Sequence, residues 1–160
     1  MVPGKRALRV GKWGNVLLGR VLFVLGLPCI RLVIRRTQRV YLCIESYNEY
    51  LVLKNWLARD TWRLPGGGKK RFESPTQAIV REAKEELGLD IPEQKLSCLG
   101  ELVAHTDRLG FTYSVFTYAP GERPEIRLDG WENTTYAWLS YDDLNQTAEL
   151  RDVARLLGKK

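Results

Sequence analysis

The sequence predicts an α/β fold. Segments with the apolar/polar alternation of β-strands surround one helix with clear capping residues, and a second helix follows them. The strand-like segments are short, rich in β-branched and aromatic residues, and separated by turn residues. A chain of 160 residues can bury one good core without disulfides. We therefore expect one α/β domain with a short appendage.

The appendage is predicted to be residues 1–31, and the domain residues 32–160. An apolar run at 16–30 is interrupted by Arg20, and it is too short for a bilayer span, which takes about 20 largely apolar residues. The interruption also disfavours a secretory signal peptide. A helix over about residues 13–25 is the leading interpretation, and it could pack on the domain, pair with a second copy as a homodimer, or lie on an anionic membrane.

Charge divides the chain in the same way. Residues 1–40 hold 9 of the 25 cations and no acid, so the other 120 residues carry 25 − 9 = 16 cations against 19 acids. Such a basic head predicts a contact with a polyanion or an anionic membrane surface through residues 1–36. Nucleic acid is the less expected partner, because aromatic residues are not interleaved with these cations.

Cysteine usage indicates the compartment. The three cysteines, Cys29, Cys43 and Cys98, are odd in number and form no C-x-x-C pair. A disulfide framework or a zinc knuckle is therefore not expected. The prediction is a cytoplasmic protein, with peripheral membrane attachment as an alternative.

The first predicted elements form a β-hairpin, from strands at 39–45 and 51–54 with turn residues around Asn48. The chain then loops to Trp62, which stands just before Leu64-Pro65-Gly66-Gly67. A tryptophan here could belong to the core or to a wall that stacks a substrate base, and both interpretations stay open.

The central helix is predicted between Ser74 and Gly88. Ser74 is a good N-cap, Gln77 completes a capping box, Pro75 suits the first helical position, and Gly88 suits a left-handed C-cap. An apolar stripe recurs every four residues and is expected to face the core: Ile79, Ala83 and Leu87.

The remaining elements are predicted from alternation and capping. Strands are expected at 96–105, 111–118, around 125–128, and at 136–139. Asp142 is expected to cap a final helix over 144–157. Its core stripe would consist of Leu150, Val153, Ala154 and Leu157.

The central helix also carries an acidic face. Glu82, Glu85 and Glu86 stand at i, i+3 and i+4, which brings their carboxylates within about 5 to 6 Å of one another on a helix. Three like charges so close repel each other unless a cation lies among them. Oxygen ligands with no Cys or His nearby predict Mg²⁺ or Mn²⁺ rather than Zn²⁺, and hence an arrangement that handles diphosphates.

Residues 67–89 as a whole resemble the Nudix box of the Nudix hydrolases. Seven fixed positions carry the resemblance: Gly67, Glu73, Arg81, Glu82, Glu85, Glu86 and Gly88. Ala83 is a soft departure, since Ile, Leu or Val is usual there. The preceding Trp62-Arg63-Leu64-Pro65-Gly66-Gly67 resembles the family's W-x-L-P-G-G lead-in.

The resemblance implies a Nudix-type α/β/α sandwich with a mixed sheet. It also implies metal-dependent hydrolysis of a pyrophosphate linkage in a nucleoside diphosphate joined to another moiety, as in nucleotide sugars, dinucleotides or nucleoside triphosphates. Alternatives are a membrane-surface hydrolase of a lipid-linked diphosphate and a non-catalytic nucleotide-binding module. The substrate signatures of individual subfamilies are not found, so the substrate stays open.

The resemblance also implies site residues. The metal ligands would be the Gly67 carbonyl, Glu82, Glu85 and Glu86. Arg81 would hold the carboxylates in register. Glu73 would support the site by pairing with Arg81 or by holding a metal through water, and a simple contact with the helix N-terminus is the alternative. The general base would be an acid of the box or a downstream loop acid, first Glu132 and then Asp129, although both could be plain loop acids.

The substrate-contacting residues are more open. Trp62 is a candidate for the base, and Lys69 and Arg71 are candidates for steering an anionic substrate, with solvated loop cations as the equal alternative. His105 is expected to be packed or to lie at the substrate edge rather than to act in catalysis.

Overall fold

The computed structural model describes residues 38–55, 61–104, 111–128, 130, 132–145 and 148–158. The elements in chain order are β1 (Arg39–Ser46), β2 (Glu49–Asn55), β3 (Gly66–Gly68), α1 (Pro75–Leu87), a 3₁₀ turn (Glu93–Lys95), β4 (Ser97–Ala104), β5 (Phe111–Tyr118), β6 (Asn133–Ser140), α2 (Tyr141–Leu144) and α3 (Ala148–Leu157). The predictions for residues 1–36, His105 and Asp129 lie outside the described residues.

The strands form one mixed sheet in the order β4-β5-β1-β2-β6, and β3 also pairs with β1. The β1–β5 pair is parallel and the other pairs are antiparallel. The predicted hairpin of β1 and β2 is confirmed, and it turns at Tyr47 and Asn48, whose φ values of 54° and 60° suit a two-residue loop.

Alternation along β1 separates two cores. Val40, Leu42 and Ile44 are buried on the face that α1 covers, and Cys43 is buried on the opposite face with α2 and α3. Both predicted apolar stripes pack on the cores as expected. They are Ile79, Ala83 and Leu87 on α1, and Leu150, Val153, Ala154 and Leu157 on α3, of which Leu157 is only partly buried. Each fully buried side chain of this size favours folding by about 1.5–3 kcal/mol. The α/β/α sandwich is thereby confirmed.

The signals that begin and end α1 act as predicted. The Ser74 hydroxyl accepts a hydrogen bond from the Gln77 amide, and the Gln77 side chain accepts one from the Ser74 amide. Gly88 is left-handed, at φ 69°. The helix is fixed by its own ends, which makes it a rigid support for its acidic face.

The prediction of one C-terminal helix capped by Asp142 is wrong. Ser140 is the cap of a one-turn helix, α2, because its hydroxyl accepts the Asp143 amide hydrogen bond, and Asn145 ends that turn. The helix α3 is a separate element. No described helix is long and apolar enough to cross a membrane.

The short strand predicted around residues 125–128 does not form. Ile126 and Leu128 do pack on the α1 core, but the Arg127 amide donates to the Leu87 carbonyl at 2.9 Å. The backbone of this segment therefore satisfies the end of α1 instead of a strand partner. The strand Gly66–Gly68 was not predicted, because glycines have no side chains that could show apolar/polar alternation.

Candidate active site

The glycine strand β3 brings backbone close to the acidic helix. It pairs with β1 through Gly67 opposite Val40, and Gly66 has φ 138°. A Cβ on Gly66 would lie 2.1 Å from the Val40 carbonyl oxygen, and one on Gly67 would lie 2.6 Å from Glu82 Oε1. At Gly66 only glycine fits, because the contact is with backbone, whereas a Cβ on Gly67 would push the Glu82 carboxylate aside. Without these side chains β3 can lie against the α1 carboxylates.

A cleft of about 320 Å³ lies between β3, α1 and the start of β6. Its lining contains both acids and arginines together with the glycine strand: Arg39, Arg63, Gly66, Gly67, Gly68, Glu82, Glu85, Glu86 and Glu132. The structure thus brings together all four predicted metal-site residues and the downstream acid Glu132.

Arg81 ties the helix to the loop before it. Its Nε donates to Glu73 Oε1 at 2.7 Å, and its Nη2 donates to the Gly68 carbonyl at 3.0 Å. Its Nη1 donates to Glu82 Oε1 at 2.9 Å and to Glu85 Oε2 at 2.8 Å. The hydrogen bond from Arg81 lowers the pKa of Glu73 to about 2. A planar guanidinium can hold this many oxygens at once, and it thereby fixes their relative positions.

Glu86 is the most deeply placed acid, with its side chain 6% exposed. Its Oε2 accepts the Gly66 amide hydrogen bond at 2.7 Å, and its Oε1 accepts from Arg63 Nη2 at 2.9 Å and from Asn133 Nδ2 at 3.1 Å. Burial nevertheless raises the pKa of Glu86 to about 7, against the lowering effects of Arg63 and Gly66. The positive and hydrogen-bonding groups around the ionised carboxylate therefore do not fully offset the effect of its burial.

The same is true of Glu82. Burial raises its pKa, and the charges of Glu85 and Glu132 add to the effect, while Arg81 opposes it. Glu85 is different, because its side chain is 53% exposed. The cleft thus contains one buried carboxylate, Glu86, one half-buried carboxylate, Glu82, and two more exposed ones, Glu85 and Glu132.

This donor set fits a hard divalent cation. The ionised carboxylates carry acceptor-only oxygens, and the Gly67 backbone, which has no side chain, lies directly beside Glu82. Within the described part of the chain, no three acidic, histidine or cysteine side chains are positioned to hold an ion as they stand. In this arrangement the guanidinium groups of Arg81 and Arg63 bind oxygens of Glu82, Glu85 and Glu86.

The three predicted substrate contacts do not line the cleft. Trp62 packs on the core beneath α3, with Lys54 Nζ 4.7 Å from its ring centre. Lys69 Nζ donates to the Glu73 carbonyl at 2.9 Å. The Arg71 guanidinium lies 5.4 Å from the ring centre of Phe72, which is 92% exposed. Their contact with substrate stays a prediction.

Sequence reasoning missed two residues that line the cleft, Arg39 and Arg63, and one that binds Glu86, Asn133. Arg39 was counted with the basic head, but it belongs to β1, where it pairs with Gly68. Arg63 stands between Trp62 and Leu64 in an extended segment, and this alternation could have indicated that it faces away from the core. Asn133 is fully buried at the start of β6, and no local pattern indicated it.

Comparison with known proteins places the chain among relatives. A sequence model of the NUDIX domain matches residues 30–157. Putative 8-oxo-dGTP diphosphatase 3 of Mycobacterium tuberculosis (strain ATCC 25618 / H37Rv) is 34% identical over 92 residues, which are 56% of this chain and 41% of that protein. RNA pyrophosphohydrolase of Hahella chejuensis is 52% identical over 33 residues, 21% of this chain and 20% of that protein. The chain therefore spans less than half of these relatives.

The fold has solved counterparts. A MutT protein from Methanosarcina mazei Go1 superimposes with a TM-score of 0.65 at 23% identity, and the match covers 77% of this chain and 94% of that one. At this identity the likeness concerns the fold. Because the family match extends over most of the sequence and includes every element of the cleft, the chain belongs to the Nudix domain family.

Proposed function

We propose that this protein hydrolyses a pyrophosphate linkage in a nucleoside diphosphate joined to another moiety, with Mg²⁺ as the cofactor and Mn²⁺ as a substitute. The observation that carries the proposal is the cleft itself, where Glu82, Glu85, Glu86 and Glu132 face bare glycine backbone. Two of these acids, Glu82 and Glu86, have raised pKa values, and such a cluster is destabilising in a protein that binds no cation.

The proposed ligands are Glu82, Glu85, Glu86 and the Gly67 carbonyl. A bound divalent cation would neutralise phosphate charge and lower the pKa of a water molecule. Arg81 keeps Glu82 and Glu85 at a fixed distance from the glycine strand, since it binds both acids and the Gly68 carbonyl. The Gly66 amide and Asn133 hold the two oxygens of Glu86. The chain thus supplies a preorganised frame, which need not reorganise during the reaction.

Glu132 and Glu85 are the proposed candidates for the general base. Both carboxylates line the cleft and are about half exposed, at 47% and 53%, so water can reach them. Glu82 and Glu86 are less suitable because water reaches them less easily, with side chains 12% and 6% exposed. A proton acceptor must lie within hydrogen-bond reach of the attacking water, which favours acids on the cleft wall over distant loop acids.

The substrate class is proposed to be a nucleotide with a triphosphate or a longer phosphate bridge. The names of the curated relatives, 8-oxo-dGTP diphosphatase and RNA pyrophosphohydrolase, support the inclusion of such compounds. Arg39 and Arg63 line the cleft beside the acids, and guanidinium groups are well suited to bind phosphate oxygens.

A substrate screen tests the proposal. Purified full-length protein with Mg²⁺ is incubated with nucleoside triphosphates including 8-oxo-dGTP, dinucleoside polyphosphates, nucleotide sugars and 5′-triphosphorylated RNA, and products are separated by anion-exchange chromatography. Glu86→Gln serves as the blank and is expected to lose at least about a hundredfold in rate. Reaction in ¹⁸O-water then identifies the attacked phosphorus. Turnover that Glu86→Gln retains, or none by the wild type on any compound, would overturn the proposal.

A further inference from the structure

Arg63 occupies the centre of the acidic cleft. A single nitrogen, Nη2, donates to Glu86 Oε1 at 2.9 Å, to Glu132 Oε1 at 3.1 Å and to Asn133 Oδ1 at 3.1 Å. The side chain is 18% exposed, and its Nε is buried with no hydrogen-bond partner among the described residues. The guanidinium thus binds two carboxylates while it leaves donor capacity unused.

Arg63 and a divalent cation would compete for the same oxygen of Glu86. Oε2 of this carboxylate accepts one hydrogen bond, from the Gly66 amide, whereas Oε1 accepts two, from Arg63 and from Asn133. An oxygen with two donors has no lone pair left for an ion. A cation that binds Glu86 through Oε1 must therefore displace one of these donors.

Arg63 is the donor that can leave. Asn133 is fully buried, whereas Arg63 faces the cleft. The Arg63 backbone is fixed by two hydrogen bonds with Leu53, of 2.8 and 3.0 Å, so the movement is confined to the side chain. A flexible side chain on a fixed backbone can turn from a carboxylate to a phosphate in the same cleft at small cost.

We propose that Arg63 is a positioning residue with two partners: it neutralises Glu86 and Glu132 before a divalent cation binds, and it turns to a phosphate of the substrate when the cation takes its place. This inference rests on the proposed function, since it takes Glu86 as a ligand. Before the cation binds, the positive charge of Arg63 offsets the charges of Glu86 and Glu132. After the cation binds, the same charge offsets that of a substrate phosphate.

A comparison with Arg81, which binds the other acids of α1, shows why the role falls to Arg63. Arg81 uses Nε, Nη1 and Nη2 together, on Glu73, Glu82, Glu85 and the Gly68 carbonyl. Its release would break a network that joins α1 to the loop before it. Arg63 makes its bonds through one nitrogen, and its release leaves Glu86 still bound by Gly66 and Asn133.

The test measures Mn²⁺ binding by full-length protein without nucleotide. Free Mn²⁺ is followed by electron paramagnetic resonance in mildly alkaline buffer, where protons compete little for Glu86. Arg63→Gln removes the competing cation, and it is expected to bind Mn²⁺ about tenfold more tightly than the wild type, a difference of about 1.4 kcal/mol. The same variant is expected to show a higher KM for the substrate that the screen identifies.

Two further variants complete the experiment. Arg63→Lys retains one charge but not the fork, and it is expected to tighten Mn²⁺ binding by less than Arg63→Gln while it also raises KM. If Arg63→Gln does not fold, judged by circular dichroism, Arg63→Lys alone decides the sign. Arg155→Gln removes an exposed arginine that pairs with Asp152 on α3, and it is expected to leave Mn²⁺ affinity unchanged.

The outcomes separate the inference from the proposed function. A folded Arg63 variant that binds Mn²⁺ with unchanged or weaker affinity would overturn the exchange and leave Arg63 as a support for Glu86. If the wild type also hydrolyses a nucleotide in the screen, the proposed function survives this result. A wild type that binds no Mn²⁺ would overturn the exchange, and if it also hydrolyses nothing in the screen, the proposed function fails as well.

Discussion

Replacement of Glu86 by Gln should change how stability depends on pH in the metal-free protein. The pKa of Glu86 is raised from 4.5 to about 7, so the folded protein holds this proton more tightly than the unfolded chain does. Between these pH values the folded state binds more protons, and the free energy of unfolding therefore falls as the pH rises. Gln carries no titrating proton, so Glu86→Gln should lack this contribution.

The magnitude follows from the two pKa values. One pKa unit corresponds to about 1.4 kcal/mol, so the wild type should lose about 3 kcal/mol relative to Glu86→Gln as the pH rises from about 4 to about 8. The attraction of ionised Glu86 to Arg63 and Asn133 is already contained in its pKa, so only the difference between Gln and the protonated acid adds a constant offset. Glu73, whose pKa is about 2, is present in both proteins, so its contribution cancels in the difference.

The assay is urea denaturation at a series of pH values in EDTA buffer, with circular dichroism as the probe. Glu93→Gln is the matched control, because it makes the same chemical change on the exposed 3₁₀ turn and should leave the difference from wild type constant. A difference between wild type and Glu86→Gln that does not vary with pH, or that grows in the opposite direction, would refute the assignment of Glu86 as a destabilised buried acid.

Three further predictions concern the frame around the cleft. Gly67→Ala should lower the melting temperature, because its Cβ would lie 2.6 Å from Glu82 Oε1. Gly68→Ala is the control, because a Cβ there meets no described atom within 4 Å. Equal melting temperatures of the two variants by calorimetry would contradict this prediction. Ser74→Ala should cost about 1 kcal/mol by loss of the cap, and an unchanged urea midpoint would argue against it. Arg81→Lys should lower kcat by at least about tenfold, because an ammonium cannot replace the fork, while the exposed Arg155→Lys should match wild type in steady-state kinetics.

Local signals made the acidic helix predictable in full. The N-cap, the capping box and the left-handed glycine all act within a few residues of one another, so Ser74, Gln77 and Gly88 specify α1 before any tertiary contact forms. The same reasoning failed at the C-terminus because Ser140 and Asp142 are both competent caps two residues apart. Ser140 is the cap in the structure, because β6 ends there and the Ser140 hydroxyl lies next to the Asp143 amide.

Long-range contacts account for what the sequence could not indicate. Asn133 contacts Glu86 across 47 residues, and it does so because β6 pairs with β2 at the edge of the cleft. Arg63 reaches the same carboxylate across 23 residues, from the segment that bridges to Leu53. Neither residue has a local motif, since each owes its place to strand pairing. The Nudix box therefore predicted the acids but not the side chains that hold Glu86.

Packing in the rest of the domain offsets the electrostatic destabilisation of the cleft. Two carboxylates with raised pKa values lie on a helix that is anchored by buried aliphatic residues, with Ile79 and Leu87 fully inaccessible on its core face. Those contacts tolerate the electrostatic cost, because packing on one face of α1 does not depend on charge on the other. A cation bound to the folded protein alone would recover part of that cost and raise the free energy of unfolding by mass action. Since Arg63 recovers some of it already, its side chain sets how much remains for the cation to gain.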